Sequence, residues 1–121
     1  MATPKKAITS SESRRKLALV IGIGKYEHCE ALQNSENDAN DMSIALESIE
    51  FVVTKKLHPK RVEMKRAIVD FEESIEPGDI VLFYFAGHGT QWEDQNYLVP
   101  KDTPALHGED LNRKPVVAYL R

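Results

Sequence analysis

The chain has 121 residues, which suits a single domain, and its 16 basic and 19 acidic residues give a net charge of −3. That balance argues against a nucleic-acid binder, which would carry a basic excess. The lone cysteine, Cys29, excludes an internal disulfide and suits a reducing, cytoplasmic setting, and no apolar stretch approaches the ~20 residues of a membrane span.

Residues 1–15 are polar and rich in Ser and Thr, lack the apolar core of a signal peptide, and read as a flexible tail ahead of a domain over 16–121. Leu17 to Ile23 is a continuous apolar run, the signature of a strand buried on both faces in a parallel sheet. A loop through Gly24 and Cys29 follows, and Asn34 or Ser35 can cap a helix whose Ala39, Met42, Leu46 and Ile49 share one face. Phe51 to Leu57 reads as a less apolar strand, nearer an edge of the sheet. Pro59 suits the first turn of a second helix, with Met64, Ile68, Phe71 and Ile75 as its buried stripe and Pro77-Gly78-Asp79 as its stop. Ile80 to Ala86 is the most apolar strand and the expected centre of the sheet. Tyr97-Leu98-Val99 reads as a short extra strand, and Pro115 to Arg121 as the start of a further helix. Strands alternating with helices imply an α/β fold with a mostly parallel sheet and right-handed crossovers. The residues after Ile23 and after Ala86 then share the carboxyl edge of the sheet, where such folds place their sites.

Gly87-His88-Gly89 sits at that edge. An imidazole cycles protons readily near neutral pH, flanking glycines permit close approach of a substrate, and the N–H of Gly89 can face a developing oxyanion. Spacing alone leaves a second reading open, a turn histidine hydrogen-bonded to a carbonyl. Asp38 also has two readings. Ser35-x-x-Asp38 fits a variant capping box, which spacing favours, whereas a carboxylate at this edge can bind a substrate Arg or Lys. Gly22-Ile23-Gly24-Lys25 is a weak nucleotide signal, because Glu27 stands where a dinucleotide fingerprint needs its last glycine. His28, Cys29, His58, His88 and His107 are too scattered for a zinc signature, and no cofactor is expected. Trp92 and Tyr97 read as cover for the sheet edge, with a substrate groove as the alternative.

The segments LALVIGIGKY, LQNSENDANDM, GDIVLFYFAGHGTQ and NYLVPKD resemble the amino-terminal part of the caspase-like cysteine peptidase domain, nearest its paracaspase and metacaspase branches. The resemblance spans Arg15 to Asp102. It implies a three-layer caspase-like fold, present here as far as its third strand, and a protein or peptide substrate. It implies that His88 works in a dyad with a cysteine through a thioester intermediate, that Gly89 helps form the oxyanion hole, and that Asp38 selects Arg or Lys before the scissile bond. In caspases the histidine precedes the cysteine by about 50 residues, which puts the expected nucleophile near position ~138, beyond Arg121. Cys29 lies on the correct edge but before His88, and reads as an inert loop cysteine. Two functions follow as expectations: a cysteine endopeptidase domain whose nucleophile lies outside these residues, or a catalytically dead module that pairs with a caspase-like partner chain.

Overall fold

The structure is a computed structural model that describes residues 14–104 and 117–119. Three parallel strands form the main sheet: β1 (Lys16–Gly22), β2 (Val52–Leu57) and β3 (Ile80–Ala86), in the order β2-β1-β3. The central strand is therefore β1, not β3. Every residue of β1 from Leu17 to Gly22 is buried, whereas β2, at an edge, is mostly exposed as its polarity implies.

Period-two alternation along β1 builds three layers. Leu19, Ile21 and Ile23 pack on one face against Met64 and Ala67 of helix α2 (Arg61–Ser74). Ala18 and Val20 pack on the other against Ala39 and Leu46 of helix α1 (Ser35–Ser48). Side chains of successive strand residues point to opposite faces, so one buried strand serves two helices. Leu19, Ile21 and Ile23 are wholly buried, each worth roughly 2–3 kcal/mol in apolar burial.

The helix ends differ in detail from their expected chemistry. No side-chain cap is formed at Asn34, and Ser35 is buried as the first residue of α1, so the Ser35/Asp38 capping box is absent. Helix α1 ends in a Schellman arrangement, with Phe51 N–H donating to Leu46 O (3.0 Å) and Glu50 N–H to Glu47 O (3.0 Å). Glu50 sits in the left-handed region, at φ 72°. Helix α2 begins at Arg61, two residues after Pro59, because the Glu63 carboxylate accepts the Lys60 N–H (2.8 Å) and closes the first turn there. Asp79 accepts two bonds from the Arg15 guanidinium (3.0 and 2.6 Å) and one from Glu76 N–H (2.7 Å), fixing the turn before β3.

A second, antiparallel sheet follows: β4 (Gly89–Trp92), β5 (Gln95–Leu98) and β6 (Val117–Tyr119), in that order. The β4–β5 hairpin was not foreseen. Its two-residue turn, Glu93-Asp94, has φ of 50° and 67°, a conformation usually announced by Asn-Gly or Asp-Gly. Val117–Tyr119 pairs with β5 and is a strand, which corrects the helix expected from Pro115. The rest of that segment, the tail over 1–13, and His107 lie outside the described residues.

Candidate active site

The register of the main sheet aligns Gly22 with both Leu57 and Ala86, so all three strands end together. The residues that follow them converge on one edge: the loop from Ile23, His58 after β2, and Gly87-His88 after β3. A hydrogen bond from Ile23 N–H to Ala86 O (2.8 Å) and one from His58 N–H to Gly22 O (2.7 Å) tie these exits together.

His88 is half-buried and held at four points, one of them the Val99 N–H, which donates to His88 O (3.0 Å). Its backbone N–H donates to Tyr26 Oη (2.8 Å), and the Tyr26 hydroxyl in turn donates to Val99 O (3.1 Å). The Tyr26 ring lies 4.7 Å from the imidazole, centroid to centroid, tilted by 48°. The imidazole Nε2 lies 2.9 Å from the carbonyl oxygen of Glu30. A carbonyl oxygen only accepts, so Nε2 carries a proton, and in the neutral imidazole the lone pair is on Nδ1. Burial pushes the Tyr26 hydroxyl up to about 12, against the opposing bond from His88 N–H and with a smaller push from Cys29. Tyr26 thus stays a neutral donor and acceptor across the whole working range.

The two glycines serve unlike purposes, and neither adopts a positive φ. A Cβ on Gly87 would lie 2.8 Å from both Tyr26 Oη and the Phe85 ring, so glycine is needed there for close packing rather than for a sharp turn. A Cβ on Gly89 would meet only Tyr97 O, at an ordinary 3.5 Å. Gly89 is exposed at the start of β4. Gly22 and Gly24 are packing glycines as well. A Cβ on Gly22 would press on Ala39 Cβ (2.6 Å) and Ser35 O (2.9 Å), and one on Gly24 would overlap the Leu32 carbonyl. They bring α1 and the loop onto β1, a packing role that accounts for both glycines without a nucleotide.

Asp38 is exposed in the first turn of α1, and its carboxylate makes no hydrogen bond or ion pair among the described residues. Its backbone N–H closes the helix on Asn34 O (2.8 Å). Cys29 is free and half-buried one residue before Glu30, and no hydrogen bond joins it to His88. A cavity of about 570 Å³ opens between β2 and α2, lined in part by Leu57, Val62, Arg66 and Phe71, and it includes none of His88, Gly89 and Asp38. Among the described residues no three His, Cys, Asp or Glu side chains converge on a metal position, and no helix is long and apolar enough to cross a membrane.

The sequence offered His58 only as a scattered metal-type residue and did not single out Tyr26 or the Glu30 carbonyl. His58 is largely buried, with 14% of its side chain exposed. Its Nε2 lies 3.0 Å from Glu36 Oε1, and its Nδ1 faces the N–H groups of Gly24 (3.1 Å) and Lys25 (3.3 Å). That bond to His58 is the main reason the Glu36 carboxyl is held below the usual range, with Lys25 and Lys55 adding attraction. One signal pointed to these residues: His58 follows β2 as His88 follows β3, so a parallel sheet must bring both to one edge.

The profile of the Caspase domain matches residues 15–118, nearly the whole chain. The chain belongs to the caspase-domain family. Caspase domains are cysteine-peptidase domains, and the parallel sheet with helices on both faces accords with that fold. This caspase domain is 29% identical over 92 residues to human mucosa-associated lymphoid tissue lymphoma translocation protein 1, a match covering 76% of this chain and 11% of that protein. It is 26% identical to metacaspase-6 of Arabidopsis thaliana over 117 residues, covering 79% of this chain and 32% of that one. It is 28% identical to metacaspase-1 of Plasmodium falciparum (isolate 3D7) over 102 residues, covering 73% and 17% respectively. The chain thus spans about a tenth to a third of the length of these curated relatives.

Proposed function

We propose that this caspase domain supplies the histidine half of a cysteine endopeptidase site that cleaves proteins after Arg or Lys. The observation that carries the reading is the placement of His88: at the carboxyl end of a parallel strand, with Nε2 bound to the Glu30 carbonyl and Nδ1 left as the base. In the proposed cycle Nδ1 takes the proton of a cysteine thiol, and the thiolate attacks the scissile carbonyl. The N–H of Gly89 stabilises the oxyanion of the tetrahedral intermediate. His88 then returns the proton to the leaving amine, a thioester remains, and water attacks it with His88 again as base. The Asp38 carboxylate, exposed and without a partner among the described residues, receives the guanidinium or ammonium of the residue before the cleaved bond. The cysteine comes from outside these 121 residues, because none follows His88.

The test is hydrolysis of fluorogenic peptides ending in Arg, Lys or Asp by the longest polypeptide its gene encodes, and by the present chain mixed with a caspase-like partner. Cleavage after Arg and Lys, abolished by His88→Ala, supports the reading. A gene product with no cysteine beyond His88, binding a partner chain without cleavage, would favour the non-enzymatic pairing module instead.

A further inference from the structure

The edge that carries His88 holds a second histidine, and its bonding pattern has only one self-consistent form. Glu36 is held as a carboxylate, so its Oε1 accepts, and the His58 Nε2 at 3.0 Å must be the donor. The Nδ1 lone pair then accepts two backbone N–H groups, those of Gly24 at 3.1 Å and Lys25 at 3.3 Å. The His58 backbone N–H also donates to Gly22 O. One residue at the end of β2 therefore binds the end of β1, the first two residues of the loop after Ile23, and the first turn of α1.

That loop is what holds His88. Tyr26, which bonds the His88 N–H and flanks its ring, comes directly after Lys25. Glu30, which accepts the His88 Nε2 proton, is four residues further on. The loop closes on itself through Leu32 N–H and Gly24 O (2.9 Å), so fixing Gly24 and Lys25 fixes the entry of a short closed segment. We propose that His58 is a positioning residue for His88: by accepting the Gly24 and Lys25 N–H groups it sets the loop whose Tyr26 hydroxyl and Glu30 carbonyl fix the place and tautomer of the base. The inference rests on reading His88 as that base.

The backbone at His58 supplies the control for its test. Its φ is 52°, a left-handed conformation that Asn and Gly both adopt readily. Asn puts an amide oxygen near the Nδ1 position and keeps the acceptor, while Gly removes it. In the 121-residue chain at mildly alkaline pH, two-bond ¹H–¹⁵N NMR reads the tautomer of His88, and hydrogen exchange reads the Gly24 and Lys25 amides. His58→Asn is expected to keep His88 as a single Nε2–H tautomer and to keep both amides protected. His58→Gly is expected to lose the single tautomer and to speed exchange of both amides about tenfold. Unchanged His88 and amide signals in a folded His58→Gly chain overturn the proposal, as does their loss in His58→Asn. Should His58→Gly not fold by circular dichroism, His58→Asn alone decides by the same criterion. None of these readouts uses activity. An inactive peptidase would refute the proposed function and leave the positioning of His88 standing.

Discussion

Tyr26→Phe removes one oxygen and tests how His88 is held. In the native chain that oxygen accepts the His88 N–H at 2.8 Å and donates to Val99 O at 3.1 Å. A net hydrogen bond contributes about 1 kcal/mol, and a partly buried backbone group left without a partner costs about 1–3 kcal/mol. Water can reach half-buried His88 more readily than buried Val99, so the expected loss is about 2–3 kcal/mol rather than the full sum. For a chain of this size that lowers Tm by roughly 10 °C. Urea denaturation of wild type and Tyr26→Phe measures the difference directly. The pH dependence gives an independent check. Tyr26 keeps its proton up to about 12 in the folded chain, against about 10 when unfolded. Its contribution to stability is therefore complete below pH ~10 and is lost as pH rises through the folded value. Tyrosinate absorbance should show a late-titrating component in wild type that Tyr26→Phe lacks. A stability loss under ~0.5 kcal/mol, within the range of an ordinary surface change, with the late titration still present, would refute this account of His88.

Asp38→Asn is expected to leave the urea midpoint unchanged, because the carboxylate has no partner among the described residues, and to reduce cleavage after Arg and Lys at least tenfold in an active polypeptide; equal cleavage by both forms removes Asp38 from the pocket. Gly24→Ala should prevent stable folding, since its Cβ would overlap the Leu32 backbone oxygen, and a normal melt for this variant would show that the loop is not packed as described. Glu50→Gly should stabilise the chain by about 1 kcal/mol through relief of the left-handed φ at the end of α1, read as a higher urea midpoint. Asp79 is held below the usual carboxylate range, first by its bond from Arg15 and then by that from Glu76 N–H. Its stabilisation is present above the unfolded value of about 3.9 and is lost as pH falls through the lower folded value. Asp79→Asn should therefore flatten the acid limb of the stability curve, and an unaltered limb would count against the Arg15–Asp79 link.

The strands and helices of the main sheet were legible because their signals are local. An apolar run such as Leu17 to Ile23 has few solutions other than a strand buried on both faces, and the stripe of Met64, Ile68 and Phe71 has few other than a helix on that strand, whereas Ile75 falls just past the helix and is exposed. The ends of these elements were less legible. Ser35 and Pro59 carry the composition of helix starts, yet burial of Ser35 and the Glu63–Lys60 bond decided where the helices begin. The β4–β5 hairpin was hidden because Glu93 and Asp94 turn without glycine, held by the pairing of the strands on either side.

By itself the sequence determined the alternation of strand and helix, and it offered the carboxyl edge as the expected place for a site, with His88, Gly89 and Asp38 as candidates. Those features follow from patterns a few residues long. Only the tertiary structure decided that β1 is central, that Gly87 is needed for contact with Tyr26, that the Glu30 carbonyl bonds His88, and that His58 bonds the start of the loop carrying Tyr26 and Glu30. Each of those depends on a register or a hydrogen bond between residues 34 to 64 positions apart, and no local pattern encodes such a distance.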